Sequence, residues 1–155
     1  MTHVRVPIAV VEQTLAFLKD AGTQHDSEGV VLWLGKRSDA GIAVSKAFIP
    51  QQIASSDYFH IPPASMTALL RHLGDTRTFI AAQVHSHPRK AFHSHADDTW
   101  AIVRHVGALS IVVPDFAATT SIHNFMAKAA AYRLSPDNTW ELVPLEELQQ
   151  LVTIS

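Results

Sequence analysis

Cysteine is absent from the 155 residues of this chain. Without thiols there can be no disulfide scaffold, thiolate zinc ribbon, iron–sulfur cluster or cysteine nucleophile. A positive excess is missing too: 12 Lys and Arg face 14 Asp and Glu, a formal net charge of -2. Surfaces that hold nucleic acid or anionic membrane carry a basic face, so neither is expected as a partner. No apolar stretch reaches the roughly 18–20 residues of a membrane span, and no basic-then-apolar segment opens the chain. Repeats, low-complexity tracts and linkers do not occur. With 47% hydrophobic residues, a chain of about 150 residues buries roughly 68–70% of its unfolded surface. The expectation is one globular domain over residues 1–155, in the cytoplasm. What the chain does have is ten histidines, and their placement matters more than their number.

Hydrophobic periodicity predicts the elements. Pro7 to Ala21 reads as a helix, with Ile8, Val11, Leu15 and Leu18 on one face and Gly22 as its stop. Val30 to Leu34 is a short apolar run closed by Gly35, which reads as a buried strand. It pairs as a hairpin with Ile42 to Ile49 across Ser38-Asp39-Ala40-Gly41. Pro50 to His60 reads as irregular. Pro62-Pro63 opens a helix bearing Met66, Leu69, Leu70 and Leu73 and ending at Gly74. Thr78 to Val84 is a strand, Ser94 to about His105 a helix, and Ala108 to Val113 a strand stopped by Pro114. Lys128 to Leu134 and Thr139 to Val143 form a hairpin around Ser135-Pro136-Asp137-Asn138, and Leu145 to Val152 a closing helix. Helices interspersed with mixed strands make the class α/β or α+β, with three layers at most.

The chemistry concentrates in VHSHPRKAFHSHADD, residues 84–98. Strand side chains alternate, so His85 and His87 point to one face and can converge on one ion. Pro88 suits a strand end opening into a loop. Asp97 and Asp98 follow at a helix start. Two imidazoles and one carboxylate leave one position of a tetrahedral Zn²⁺ for water, the pattern of a catalytic site. Such an ion lowers the pKa of its water from 15.7 towards about 7. A general base on another element would complete the arrangement.

His85-Ser86-His87-Pro88 followed by Ser94-x-x-Asp97 resembles the H-x-H-P…S-x-x-D signature of the JAMM (MPN-type, JAB-domain) zinc metalloproteases. The family carries a glutamate ahead of a short apolar strand and a glycine, and Glu28-Gly29-Val30-Val31-Leu32-Trp33-Leu34-Gly35 matches that segment. AFHSHADD looks like the bacterial branch. The resemblance extends over roughly Pro7 to Val143. It implies a three-layer, cytidine-deaminase-like α/β fold with a mixed central β-sheet flanked by helices. It also implies cleavage of isopeptide or peptide bonds after the C-terminal tail of ubiquitin or a ubiquitin-like protein. Activating- and conjugating-enzyme-like proteins are the further partners it suggests. By the same resemblance His85, His87 and Asp97 are the ligands of one Zn²⁺. Glu28 is then the general acid/base, and Ser94 steadies the oxyanion. The family more often places the aspartate eleven residues after the second histidine, which gives Asp98. Spacing from Ser94 gives Asp97, and this count is preferred because a loop absorbs a deletion more easily than a helical turn does. Asp98 stays open at this level.

Each residue has a plainer reading. Ser94-x-x-Asp97 is nearly a helix capping box, and Glu28 by itself is a solvated loop residue. His93 and His95 are read as loop or cleft residues, since two histidines and one carboxylate already fill the protein's share of the site. His3, His25, His60, His72, His105 and His123 show no partner spacing and are read as surface or hydrogen-bonded residues. Trp33, Trp100 and Trp140 are read as core or half-buried aromatics, with Trp100 packing the active-site helix. Arg89 and Lys90 are read as exposed loop charges. The segments 50–60 and 114–128 are the expected walls of a substrate groove, in which a bound tail adds a strand to a sheet edge. Two other functions compete: a metal-free MPN-type scaffold, and a hydrolase releasing an amino acid from a small sulfur-carrier protein. Zinc deaminase chemistry is excluded, because its H-x-E and P-C-x-x-C signature needs cysteines.

Overall fold

A computed structural model describes residues 2–155, and the side chains of all of these but Ala96, Thr99 and Trp100. The expected packing of Trp100 lies outside the described residues. The strands are β1 (Val4–Val6), β2 (Val30–Ser38), β3 (Gly41–Phe48), β4 (Ile53–Ala54), β5 (Phe59–His60), β6 (Phe79–Ser86), β7 (Leu109–Val113), β8 (Ala130–Leu134), β9 (Trp140–Leu142) and β10 (Val152–Ile154). The helices are α1 (Ile8–His25), α2 (Pro63–Thr76), α3 (His95–Trp100), α4 (Phe125–Lys128) and α5 (Leu145–Leu151). Eight strands form one mixed sheet in the order β10-β1-β3-β2-β6-β7-β8-β9, while β4 and β5 pair separately as a small hairpin. Parallel pairing joins β1 to β10, β1 to β3 and β6 to β7; the other neighbours are antiparallel. No described helix is long and apolar enough to cross a membrane.

The run Val30 to Leu34 explains the layering. Strand side chains alternate between faces, so a run buried throughout needs cover on both. Val31 and Trp33 join one core with Val11, Leu15 and Leu18 of α1. Val30, Leu32 and Leu34 join a second core with Leu69 of α2. The architecture is therefore α/β, a mixed central sheet with helices on its two faces. Trp33 anchors the first core, and its Nε1 donates to Thr14 Oγ1 at 2.9 Å from the middle of α1.

Several boundaries depart from the sequence expectation, each for a tertiary reason. Gly22 does not stop α1, which continues to His25 and ends on Asp26 in the left-handed region (φ 49°). Gly22 serves packing instead, for a Cβ there would lie 2.3 Å from Phe116 Cβ. Nor does Gly74 stop α2, which runs to Thr76 and ends on left-handed Arg77. Leu70, expected on the apolar face, is 64% exposed. Gly35 lies inside β2, where a Cβ would meet Ala43 O at 2.4 Å. Helix α3 stops at Trp100 rather than His105, and the Gln83 side-chain oxygen takes the Ile102 N–H (2.8 Å) just beyond its end. Within the segment read as irregular, Ile53–Ala54 and Phe59–His60 pair. Lys128, expected to open a strand, instead ends the helical turn Phe125–Lys128, and β8 begins at Ala130. β1 and β10 were not expected, because three-residue strands carry little periodicity.

Candidate metal centre

Strand register builds the site. In the β2–β6 ladder Val30 stands opposite His85. Continuing that antiparallel register sets Gly29 across from Ser86 and Glu28 across from His87. Two hydrogen bonds hold the continuation: Ser86 N–H donates to Gly29 O (3.1 Å), and Gly29 N–H donates to Ser86 Oγ (3.0 Å). Glu28 N–H donates to Ser55 O at 2.8 Å, fixing the loop from its other side. The result puts Glu28 Oε1 3.8 Å from His87 Nε2, with both side chains buried.

His87 is locked just past the end of β6. Its N–H donates to Val113 O (2.9 Å), and its carbonyl accepts the Phe116 N–H (2.8 Å). Phe116 sits in a tight turn, Asp115–Ala117, whose three residues have positive φ of 54°, 50° and 64°. For residues with a Cβ this costs roughly 1–2 kcal/mol each, so the surrounding packing must hold the turn in place. Gly22 of α1 supplies the space for it.

Asp97 arrives from α3. Ser94 caps that helix in a reciprocal box: Asp97 N–H donates to Ser94 Oγ (3.1 Å) and Ser94 N–H to Asp97 Oδ2 (2.8 Å). The carboxylate then points at the sheet, with Oδ2 3.0 Å from His87 Nε2 and 3.2 Å from His85 Nε2. One ligand atom from each of His85, His87 and Asp97 lies within 4.8 Å of the others, so the three could hold a metal ion. The donor set suits a divalent cation with nitrogen and oxygen ligands. His85 strengthens the fit. It is fully buried, with no hydrogen-bond partner for Nδ1 among the described residues and only the Asp97 carboxylate, at 3.2 Å, facing Nε2. A buried imidazole so sparsely partnered is costly unless something else takes its lone pair.

The electrostatics are those of a coupled cluster. Burial pushes the Glu28 carboxyl up to about 7, with His87 opposing and Asp97 and Asp57 adding to the rise. For Asp97, burial acts upward, but His85 and His87 against it hold the carboxyl well below the usual range. For His87, burial acts downward, and Asp97 and Glu28 outweigh it to raise the imidazole. A carboxyl that changes charge near neutral pH beside three residues that could hold a metal ion can accept and return a proton.

Two grooves meet at this point. One, of about 630 Å³, is lined by Tyr58, Phe59, Ile61, Met66 and Ile102. The other, of about 770 Å³, is lined by Asp26, Arg89, Lys90, Phe92 and Ser94. Glu28 and Asp57 belong to both. Two channels, the second bordered by Arg89 and Lys90, thus converge on the cluster.

The structure brings Glu28, His85, His87, Ser94 and Asp97 together. Asp98 faces away: it is paired to His93 Nδ1, its side chain 51% exposed. Of the two histidines read as loop or cleft residues, His95 opens α3, while His93 lies in the loop ahead of that helix but is not a surface group. Its side chain is 1% exposed, and its Nε2 lies 2.9 Å from Ser110 Oγ. Burial holds its imidazole below the ordinary range, with the Asp98 hydrogen bond opposing. Reasoning from the sequence also passed over Ser86, Ser110 and Gln83, all buried polar residues on strands. A signal for Gln83 was available, since it shares the parity of His85 and His87 and so their face of β6.

No protein-family model matches the chain. The probable metalloprotease y4jG of Sinorhizobium fredii (strain NGR234) is 35% identical over 156 residues, which span 98% of this chain and 94% of that protein. Among solved structures, protein DSY2949 of Desulfitobacterium hafniense superposes with a TM-score of 0.69 at 14% identity, over 98% of this chain and 92% of that one. A protein of Salinibacter ruber gives a TM-score of 0.54 at 19% identity, over 88% and 86% of the two chains. At such identities the two structures speak for the fold alone.

Proposed function

This chain belongs to the metalloprotease family of its rhizobial relative, and from that premise we propose that it is a zinc-dependent peptidase of JAMM type. Its substrate in this reading is the bond that follows the C-terminal tail of a ubiquitin-like protein, in a conjugate or a precursor. Residues 1–155 act as the catalytic domain. The observation that carries the reading is the convergence of His85 Nε2, His87 Nε2 and Asp97 Oδ2 with Glu28 Oε1 beside them.

His85, His87 and Asp97 would hold the ion. Zinc bound there supplies Lewis acidity, making water a stronger acid and drawing electron density from the scissile carbonyl. Glu28 takes a proton from the attacking water at Oε1 and returns it to the leaving amine, a task that suits a carboxyl held at about 7. Ser94 accepts the Asp97 amide and keeps its hydroxyl hydrogen for the oxygen on which negative charge develops. The two grooves take the chain on either side of the bond, and the β4–β5 hairpin walls one of them through Phe59 and His60.

The test is zinc per chain in wild type, Asp97→Ala and Asp98→Ala, with Glu28→Gln assayed on a ubiquitin-like fusion. We expect about one zinc in wild type and Asp98→Ala at saturating metal, and none in Asp97→Ala. Glu28→Gln keeps the zinc and loses cleavage. A wild type that takes up no zinc when supplied with it sinks the hydrolase and points to a scaffold. Cleavage retained in Glu28→Gln removes that residue from the mechanism.

A further inference from the structure

Beneath the metal centre runs a second polar array that the proposed chemistry does not use. Ile102 and Val103 N–H both point at Gln83 Oε1, at 2.8 and 3.4 Å. Gln83 Nε2 donates to Ser110 Oγ at 2.9 Å. Ser110 Oγ lies 2.9 Å from His93 Nε2, and His93 Nδ1 meets the Asp98 carboxylate. A carboxylate accepts, so Nδ1 carries a proton; in the neutral ring Nε2 is then the acceptor and takes the Ser110 hydroxyl hydrogen, while Ser110 Oγ accepts from Gln83. The neutral His93 is thereby the Nδ1–H tautomer. Its ring is flanked by Tyr132 and Trp140 at centroid distances of 4.9 and 5.3 Å.

A serine, a histidine and an aspartate in that order resemble a hydrolase triad, but Ser110 is fully buried in β7. It cannot serve as a nucleophile. What the array reaches is α3. Asp98 sits in the first turn of that helix, and Ile102 lies just beyond its last residue. Six residues are too few for a helix to hold itself in water, so its position must come from outside. The Gln83–Ser110 pair, side by side in the β6–β7 ladder, grips it at both ends.

We propose that His93 is a positioning residue for the metal centre: with Asp98, Ser110 and Gln83 it clamps α3 to the sheet and thereby sets Asp97 against His85 and His87. His93 directly precedes Ser94, and Asp98 directly follows Asp97, so the clamp brackets the capping box. If it is released, the Asp97 carboxylate is no longer held at 3.0 and 3.2 Å from the two imidazoles. The inference rests on the metal reading of those three residues. It also assigns Asp98 to the support of the site rather than to its ligand set.

The test compares His93→Phe, which keeps the ring and removes both hydrogen bonds, with Asp98→Ala and the conservative Asp98→Asn. Zinc affinity is read by competition with a chelator, on protein that circular dichroism shows to be folded. His93→Phe and Asp98→Ala should bind zinc about 10–100-fold more weakly, the usual effect of losing a group that orients a ligand. Asp98→Asn, which keeps an acceptor for Nδ1–H, should restore affinity to within about threefold of wild type. A second readout needs no metal: amide exchange at Asp97 and Asp98 in chelator-treated His93→Phe should quicken at least about tenfold, while Val31 and Trp33 in β2 are unchanged. Wild-type affinity in both His93→Phe and Asp98→Ala overturns the inference. So does quickened exchange spread evenly over the chain, which would mean a general loss of stability. A wild type that binds no zinc is a different failure, of the metal reading itself, and takes the role assigned to His93 down with it.

Discussion

Two glycines in equivalent places near the ends of two helices should respond to alanine with opposite signs. In a helix interior, Gly→Ala normally gains about 1 kcal/mol from propensity alone. At Gly74 nothing lies within 4 Å of the added Cβ, so the gain should appear whole. At Gly22 the added Cβ falls 2.3 Å from Phe116 Cβ and 2.8 Å from its Cγ, against an ordinary carbon–carbon contact of about 3.5–4.0 Å. Phe116 cannot swing aside freely, because its N–H is bonded to His87 O and its backbone is already in the left-handed region. The overpacking cost should therefore fall at the upper end of the usual range, about 3 kcal/mol. Set against the propensity gain, Gly22→Ala loses about 2 kcal/mol where Gly74→Ala gains about 1. For a chain of this size 1 kcal/mol moves Tm by about 2–4 °C. Calorimetry should thus put Gly22→Ala about 4–8 °C below wild type and Gly74→Ala about 2–4 °C above it. Phe116→Ala in the Gly22→Ala background should recover part of the loss, a coupling that a double-mutant cycle isolates. Equal stabilisation by the two alanines would refute the argument, since Phe116 would then not be resting on Gly22.

Thr14→Val should lower stability by about 1–3 kcal/mol, because the fully buried Trp33 loses its acceptor at Nε1; an unchanged thermal melt would count against that hydrogen bond. The Glu28 carboxyl, ordinarily at 4.5 and here held at about 7 by burial, binds its proton more tightly in the folded state than in the unfolded one. In chelator-stripped protein its contribution to stability is present below pH 4.5 and is lost as pH rises through about 7. Wild type should therefore lose ground to Glu28→Gln between about pH 5 and about pH 8, as thermal melts of the two will show. A constant difference across that window would mean that Glu28 is not held up by burial.

What could be read from the sequence was what is local. Alternation alone put His85 and His87 on one face, and the Ser94–Asp97 spacing fixed a capped helical turn whatever its chemistry. Val30 to Leu34 read as a buried strand because no amphipathic element shows apolar side chains in succession. The pairing of Glu28 with His87 was nearly legible too, since it follows from register once β2 and β6 are adjacent. Other features depended on partners far away in the chain. Gly22 looked like a stop signal because nothing in residues 7–22 announces Phe116, and the true end fell to Asp26. Helix α3 ended early because a glutamine on β6 took the next amide, a competition invisible in the helix's own residues. His93 read as a loop residue and is one, but its burial was hidden for the same reason: its partners Ser110 and Asp98 come together only when β7 and α3 are placed.

The irregular register around Leu34 has a mechanical consequence. Against β3 the ladder steps from Leu34–Lys46 to Gly35–Val44, and against β6 from Trp33–Ala82 to Leu34–Ile80, so one residue is passed over on each side. β2 is thereby split into an inner half, tied to His85 and continuing to Glu28, and an outer half that ends at the Asp39–Ala40 turn. A slip or tug in the outer half must cross two discontinuities before it can change which residue faces His87. The far hairpin is insulated from the end that carries Glu28 and faces His85, and Asp39–Ala40 is where a fluorophore or an affinity handle can be grafted while leaving that cluster undisturbed.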